Sequence, residues 1–227
     1  ADSTRDRMVD HARECIEWGF NAAMVPGSWV PVVAAELAGT GVLTASALDF
    51  PIVGTMTSAG KAAEAAELVR LGANQIDIGV QIGWLKSGLW DAFRDDIAGV
   101  VTAAGVPIKV MLELPLLTPE ERRVAVELSI EAGAAYLKNA SSGAVETANP
   151  ASIAWLVKAA AGRALVKASG SIKSLDQVRS LLEAGADLPP LDQFAYANVV
   201  TRALGAAEHD RPELRTLTGV ADVNALG

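Results

Sequence analysis

Two short apolar runs each carry a lysine at a matching point: Lys138 in "YLKNAS", residues 136–141, and Lys167 in "ALVKAS", residues 164–169. Burying one charge costs several kcal/mol, about 3–5 when a pair is broken, unless something compensates. If these runs are neighbouring parallel strands, the two side chains start about 4.8 Å apart and point the same way. Two like charges that close disfavour double protonation, and partial burial acts in the same direction. One amine is then neutral near neutral pH, and a neutral amine attacks a carbonyl to form a Schiff base. The protonated imine draws electrons from the adjacent carbon, so a carbon–carbon bond one position further out can form or break. Asp77, two strands before the Lys138 strand, is placed to move the proton, directly or through water. This constellation points to carbonyl chemistry at lysine and leaves aldol cleavage, dehydration and decarboxylation open.

The elements that must position these groups follow one repeated period. Alanine-rich amphipathic helices end at Gly19, Gly41, Gly72, Gly105, Gly133, Gly162 and Gly185, and a β-rich run follows each. The runs at 22–25, 42–50, 75–82, 106–114, 135–140 and 164–168 read as strands. Thr118-Pro119-Glu120-Glu121 is an N-cap, a first-turn proline and a capping-box glutamate in order. Asn149-Pro150 and Ser174 mark two further helix starts. Strands alternating with helices at this period are parallel, in an open doubly wound sheet or a (β/α)8 barrel.

Strand parity favours the barrel. In "QIDIGVQI" one face carries Ile76, Ile78, Val80 and Ile82, and the other Gln75, Asp77, Gly79 and Gln81. In "IKVMLEL" the split is Ile108, Val110, Leu112 and Leu114 against Lys109, Met111 and Glu113. A parallel sheet covered by helices on both sides is apolar on both faces. A barrel gathers polar groups inside, near the C-terminal ends of its strands. Asp77, Lys109, Glu113, Lys138 and Lys167 therefore converge on one interior. A lone buried Lys–Asp pair is most often structural, and Lys109 by itself reads that way. Five ionisable groups from four consecutive strands read as a functional site.

Composition restricts the alternatives. A chain of 227 residues that is 51% hydrophobic can bury a large α/β core. The net charge of −8 argues against nucleic acid or an anionic membrane as partner. No apolar run approaches the roughly 20 residues that span a bilayer. Cys15 is the only cysteine, which rules out an internal disulfide and suits a reducing, cytoplasmic setting. With only His11 and His209 beside it, no metal site is expected, and lysine chemistry needs no cofactor.

With these residues in place, a family resemblance emerges. "GANQIDIGVQIGWLKSG", "PIKVMLELPLLTPEE", "EAGAAYLKNAS" and "ALVKASGSI" follow in order the pattern of deoxyribose-phosphate aldolase, and "ECIEWGFNAAMV" and "SWVPVVAAEL" resemble the segments before them. The match runs over residues 3–187. It implies a class I aldolase on a (β/α)8 TIM-type barrel acting on a small-molecule carbonyl. In it, Lys138 is the Schiff-base lysine, Lys167 the lysine that tunes it and Asp77 the proton relay. Lys109, Glu113, Asn139, Ser169, Gly170 and Ser171 are the expected substrate-binding positions.

Departures from the family pattern surround the nucleophile. Lys138-Asn139-Ala140-Ser141-Ser142 stands for Lys-Thr-Ser-Thr-Gly, and Gly170-Ser171 for a glycine pair. Met24-Val25-Pro26-Gly27 stands for Cys-Val-Asn-Pro, and Asp49-Phe50-Pro51 for Gly-Phe-Pro. They leave open a phosphorylated or an unphosphorylated substrate. They also leave open another use of the same imine, or a catalytically silent barrel that binds a partner. Only six strands are legible, so the barrel is expected to be irregular at strands 1 and 8. The first would fall before Ala1, and "LPPLDQ" replaces the eighth, where adjacent prolines break a central strand. Residues 1–187 form the barrel body. Residues 188–227 form a divergent helix (192–207) and tail packing on it, with 215–223 a candidate replacement strand. A gap in the wall would expose two sheet edges, so a homodimer is expected.

Overall fold

The computed structural model describes residues 3–187; the helix expected at 192–207 and the strand expected at 215–223 lie outside the described residues. In chain order come α1 (Arg5–Trp18), β1 (Ala22–Met24), α2 (Val30–Leu37), β2 (Leu43–Leu48), α3 (Ser58–Arg70) and β3 (Gln75–Gly79). They continue with α4 (Ile82–Lys86), α5 (Trp90–Ala104), β4 (Ile108–Met111), α6 (Pro119–Glu131), β5 (Tyr136–Lys138), α7 (Pro150–Ala160), β6 (Leu165–Lys167) and α8 (Leu175–Glu183).

The helix-start signals work as the sequence implies, while α2 ends at Leu37, four residues before the expected Gly41. At α6 the Thr118 hydroxyl accepts from Glu121 N–H, while the Glu121 carboxylate accepts from Thr118 N–H at 2.8 Å. Asn149 and Ser174 cap α7 and α8 by accepting from the N–H of Ser152 and of Gln177, without a reciprocal glutamate. Gly19 and Gly105 close α1 and α5 in the left-handed conformation, with φ of 66° and 63°. α7 stops one residue earlier than its glycine suggests, on a left-handed Ala161.

All six expected strands are present, each shorter than its apolar run. β3 stops at Gly79 because the chain turns into α4, with Ile82 N–H donating to Val80. β4 stops at Met111 because Glu113 adopts a left-handed backbone and a single 3-10 turn, Leu114–Leu116, follows. The strands are parallel and lie in the order β1-β2-β3-β4-β5-β6. That one-way order excludes the doubly wound alternative, whose order reverses at a switch point. Among the described residues the sheet has six strands, with β1 and β6 at its edges, so it forms a half-barrel and the full eight-stranded closure is not present among them.

Parity is as expected. Ile76, Ile78, Val110, Leu112, Leu137 and Val166 join the apolar core with Leu68, Phe93, Ile97 and Leu156 from the helices. The ionisable side chains take the other face. A contact between β3 and β6 measures the curvature. These strands are three spacings apart, about 14 Å across a flat sheet. Yet Lys167 on β6 reaches Asp77 on β3 at 3.2 Å, which requires the sheet to curl around that face.

Candidate active site

Register places the groups in two layers. Asp77 lies opposite Lys109, which lies opposite Tyr136. One layer toward the strand C-termini, Gly79, Met111, Lys138 and Lys167 are in register, so the two lysines are direct neighbours. Lys138 and Lys167 both meet Asp77 Oδ2, the latter at 3.2 Å, and Lys109 Nζ lies 3.3 Å from Oδ1. The Lys109 ammonium also stands 5.7 Å from the centre of the Tyr136 ring, within cation–π range. All four side chains are withdrawn from solvent; the most exposed, Lys138, is 3% accessible.

The electrostatics of Asp77 follow from this crowding. Burial pushes its carboxyl up. The charges of Lys138, Lys167 and Lys109, in that order, override burial and hold it well below the usual carboxylate range. Asp77 is thus an ionised acceptor in direct contact with both lysines of the pair, with no gap for a relaying water.

Glu113 stands beyond this layer at the end of β4. Its Oε1 accepts from Ser141 N–H at 3.0 Å, which places its carboxyl over the segment that follows Lys138. The four remaining sequence-predicted positions form a seam between the ends of β5 and β6. Asn139 Oδ1 accepts from Ser169 N–H at 2.8 Å, and Asn139 Nδ2 donates to Ser169 C=O at 2.9 Å and to Glu146 Oε2 at 2.7 Å. The Asn139 amide is thereby engaged entirely by protein, and it holds the two lysine strands at one height. Gly170 is enclosed: a Cβ there would lie 1.9 Å from the Glu146 carbonyl oxygen. Ser171 is exposed and packs against Gly143.

One buried cluster escaped sequence reasoning. Lys61 Nζ lies 2.8 Å from Asp96 Oδ2, 2.8 Å from Gly79 C=O and 3.1 Å from Asp49 Oδ2, with all three charged side chains fully enclosed. Asp49 in turn accepts from the backbone of Gly54, Thr55 and Met56, shaping the loop after β2. Burial pushes the Asp49 carboxyl up, and the Thr55 and Lys61 contacts outweigh it and lower it. The sequence did hold a signal: Lys61, Ala65 and Leu68 share the buried face of α3 at helical spacing, so this lysine points inward. Among the described residues no three of His, Cys, Asp and Glu are placed to hold a metal ion, and no helix is long and apolar enough to cross a membrane.

A one-way α/β sheet curled around a carboxylate and its lysines defines an enzyme of the TIM-barrel type, with its lysine pair at the C-terminal ends of β5 and β6. Known proteins agree. A deoxyribose-phosphate aldolase of Methanothermobacter thermautotrophicus is 39% identical over 188 residues, covering 82% of this chain and 84% of that one. One of Rhodospirillum rubrum is 41% identical over 175 residues, covering 76% and 73%. Among solved structures, the tetrameric deoxyribose phosphate aldolase of Aeropyrum pernix has a TM-score of 0.78 at 25% identity, over 90% of this chain and 86% of that chain. The aldolase QR15 has a TM-score of 0.76 at 30% identity, over 82% and 83%. No protein-family model matches. The chain belongs to the deoxyribose-phosphate aldolase family, a family of aldehyde-lyases.

Proposed function

We propose that this chain is a class I aldolase that makes or breaks a carbon–carbon bond of a small aldehyde through a Schiff base on Lys138. The observation that carries this is the pairing of Lys138 with Lys167 on one oxygen of Asp77. Three lysines and one carboxylate would carry a net charge of +2 if every lysine kept its proton. In a water-excluded interior that repulsion favours a neutral amine at one of them. Lys138, on the more accessible side, is the nucleophile; Lys167 supplies the repelling charge and exchanges protons with the shared carboxylate. Once Lys138 has become an imine, electrons from the breaking bond collect on its nitrogen as an enamine. Protonation of the enamine and hydrolysis then return the amine.

An unphosphorylated carbonyl suits the described face better than a phosphate ester. A helix N-terminus beside the lysines would be the place to hold a phosphate. At α7 the Glu146 carboxylate already takes that position, with Oε1 accepting from Asn149 Nδ2 at 3.0 Å and from Ser152 Oγ at 2.5 Å. Incubation with acetaldehyde and borohydride, followed by mass spectrometry, tests the chemistry. A stable adduct on Lys138, absent in Lys138→Ala and slowed at neutral pH in Lys167→Leu, is expected. No adduct with acetaldehyde or a panel of other carbonyls would leave a binding protein as the better account. Cleavage of deoxyribose 5-phosphate in strong preference to deoxyribose would overturn the substrate class alone.

A further inference from the structure

The lysine layer has a gap that another part of the chain fills. Gly79, Met111, Lys138 and Lys167 lie in register on one level, and Gly79 brings no side chain to it. By strand parity a side chain there would stand on the inner face, on the same side as Asp77. A Cβ built on Gly79 would lie 2.9 Å from Cβ and from Cγ1 of Val53. Val53, carried by the loop after β2, therefore occupies that place. Met111 beside it is 1% exposed and takes the inner face by the same parity.

The loop is fastened in this pose from both ends. Asp49, directly after β2, has a left-handed backbone with φ of 53°. That turn sends its carboxylate to Lys61 on the helix side and its carbonyl oxygen over Gly79. The carboxylate accepts from the N–H groups of Gly54, Thr55 and Met56 at 2.8, 2.8 and 3.1 Å. Gln81 Nε2 donates to Met56 C=O at 2.8 Å. Phe50 and Ile52 on the same loop are 49% and 71% exposed, whereas Val53 is half-buried and turned to the sheet. Its height above the nucleophile follows from the register. The Lys138 amine meets Asp77, and Gly79 lies two residues further along β3, about 6.6 Å up the strand. Val53 and the amine thus bracket a space the size of a small aldehyde.

We propose that Val53 selects the acceptor aldehyde: with Met111 it forms an apolar wall that takes a short, unbranched, apolar substituent. This rests on the imine reading given above. In the addition direction the enamine carbon bonds to the acceptor's carbonyl carbon, and the nitrogen lone pair forms the C=N bond. The acceptor oxygen takes a proton from water and becomes a hydroxyl, and hydrolysis of the imine frees the product and the amine. Only the acceptor's remaining substituent has to be housed, and the wall decides which one fits. A branch on that substituent meets the Val53 methyls, whose loop is tied down and does not yield. A hydroxyl on it leaves water and finds two apolar side chains, with no hydrogen bond in exchange.

Competition between equimolar acceptors, with acetaldehyde as donor and products counted by mass spectrometry, reads ratios of kcat/KM directly. The wild type should prefer propanal to 2-methylpropanal by about 10-fold, the lower end of what one methylene contributes in an apolar pocket. It should prefer propanal to glycolaldehyde, a pair of similar size, by about 10-fold as well. Val53→Ala should bring 2-methylpropanal level with propanal, and Val53→Leu should widen the gap. Val53→Thr, alike in shape with a hydroxyl in place of one methyl, should bring glycolaldehyde level and keep 2-methylpropanal disfavoured. A side chain that merely packs the loop would lower all rates and leave the ratios alone. Ratios unchanged across the variants, or a wild type that prefers glycolaldehyde, would overturn the assignment. If Val53→Ala or Val53→Leu does not fold, the glycolaldehyde ratio in Val53→Thr decides it. A wild type that forms no borohydride-trapped adduct on Lys138 removes the imine reading and the selectivity together. A normal wild-type adduct with unmoved ratios, or with no addition to any acceptor, removes the Val53 role only.

Discussion

Asp77→Asn removes one negative charge and almost no volume. The native carboxylate meets Lys138 and, at 3.2 Å, Lys167, and it faces Lys109 at 3.3 Å, all of them shielded from water. In the variant three buried lysines lose the carboxylate they share. Removing one partner of a buried ion pair costs about 3–5 kcal/mol, most of it from the charge left behind. For a domain of this size each kcal/mol moves the melting temperature by about 2–4 °C, so a drop of roughly 6–20 °C is expected. The rise of stability with pH above neutrality should steepen. In the wild type the folded carboxyl titrates below its unfolded value. Its contribution is therefore fully present above the unfolded value of about 3.9 and is lost as pH falls through the folded one. In Asp77→Asn the crowded lysines reject protons that the unfolded chain binds up to about pH 10, so stability should rise from pH 7 toward pH 9.5. Urea unfolding at several pH values measures both effects. A variant within about 0.5 kcal/mol of wild type at pH 7, the range of an ordinary surface change, would refute the electrostatic reasoning, as would stability that fails to rise with pH.

Other perturbations probe the surroundings. Lys61→Met leaves the Asp49 and Asp96 carboxylates facing each other's charge at full burial, and a loss of about 3–5 kcal/mol is expected from urea unfolding. A loss below about 1 kcal/mol, the usual worth of a surface pair, would show that the cluster does not hold the loop after β2. Gly170→Ala places a methyl 1.9 Å from the Glu146 carbonyl oxygen, where about 1–3 kcal/mol of overpacking strain follows. Ala148 N–H, which donates to Gly170 C=O at 2.8 Å, should then exchange with solvent faster, and unchanged exchange would contradict the tight seam.

Much of this molecule was legible in one dimension because its signals are local. A period of two along a strand assigns Asp77, Lys109, Lys138 and Lys167 to one face whatever surrounds them. Caps such as Thr118 with Glu121 close within four residues, so their geometry depends on nothing distant. Strand ends were less legible: the apolar runs continue past Gly79 and Met111, and only packing decides where pairing stops. Glu113 shows the limit, since parity places it inside but gives no hint of its left-handed backbone or its anchoring by Ser141.

By itself the sequence determined that strands alternate with helices, that five ionisable side chains share a face, and that two lysines stand at one level. Each of these follows from backbone geometry that repeats every few residues. Only the tertiary structure decided that the sheet curls enough for Asp77 on β3 to touch Lys167 on β6. It alone joined Lys61 from α3 to Asp96 from α5 and Asp49 from the loop after β2. It also turned Asn139 and Ser169 into a clamp rather than open donors. Such contacts join residues 12 to 90 positions apart, and closure over that distance is set by the packing of the whole sheet, which no local pattern encodes.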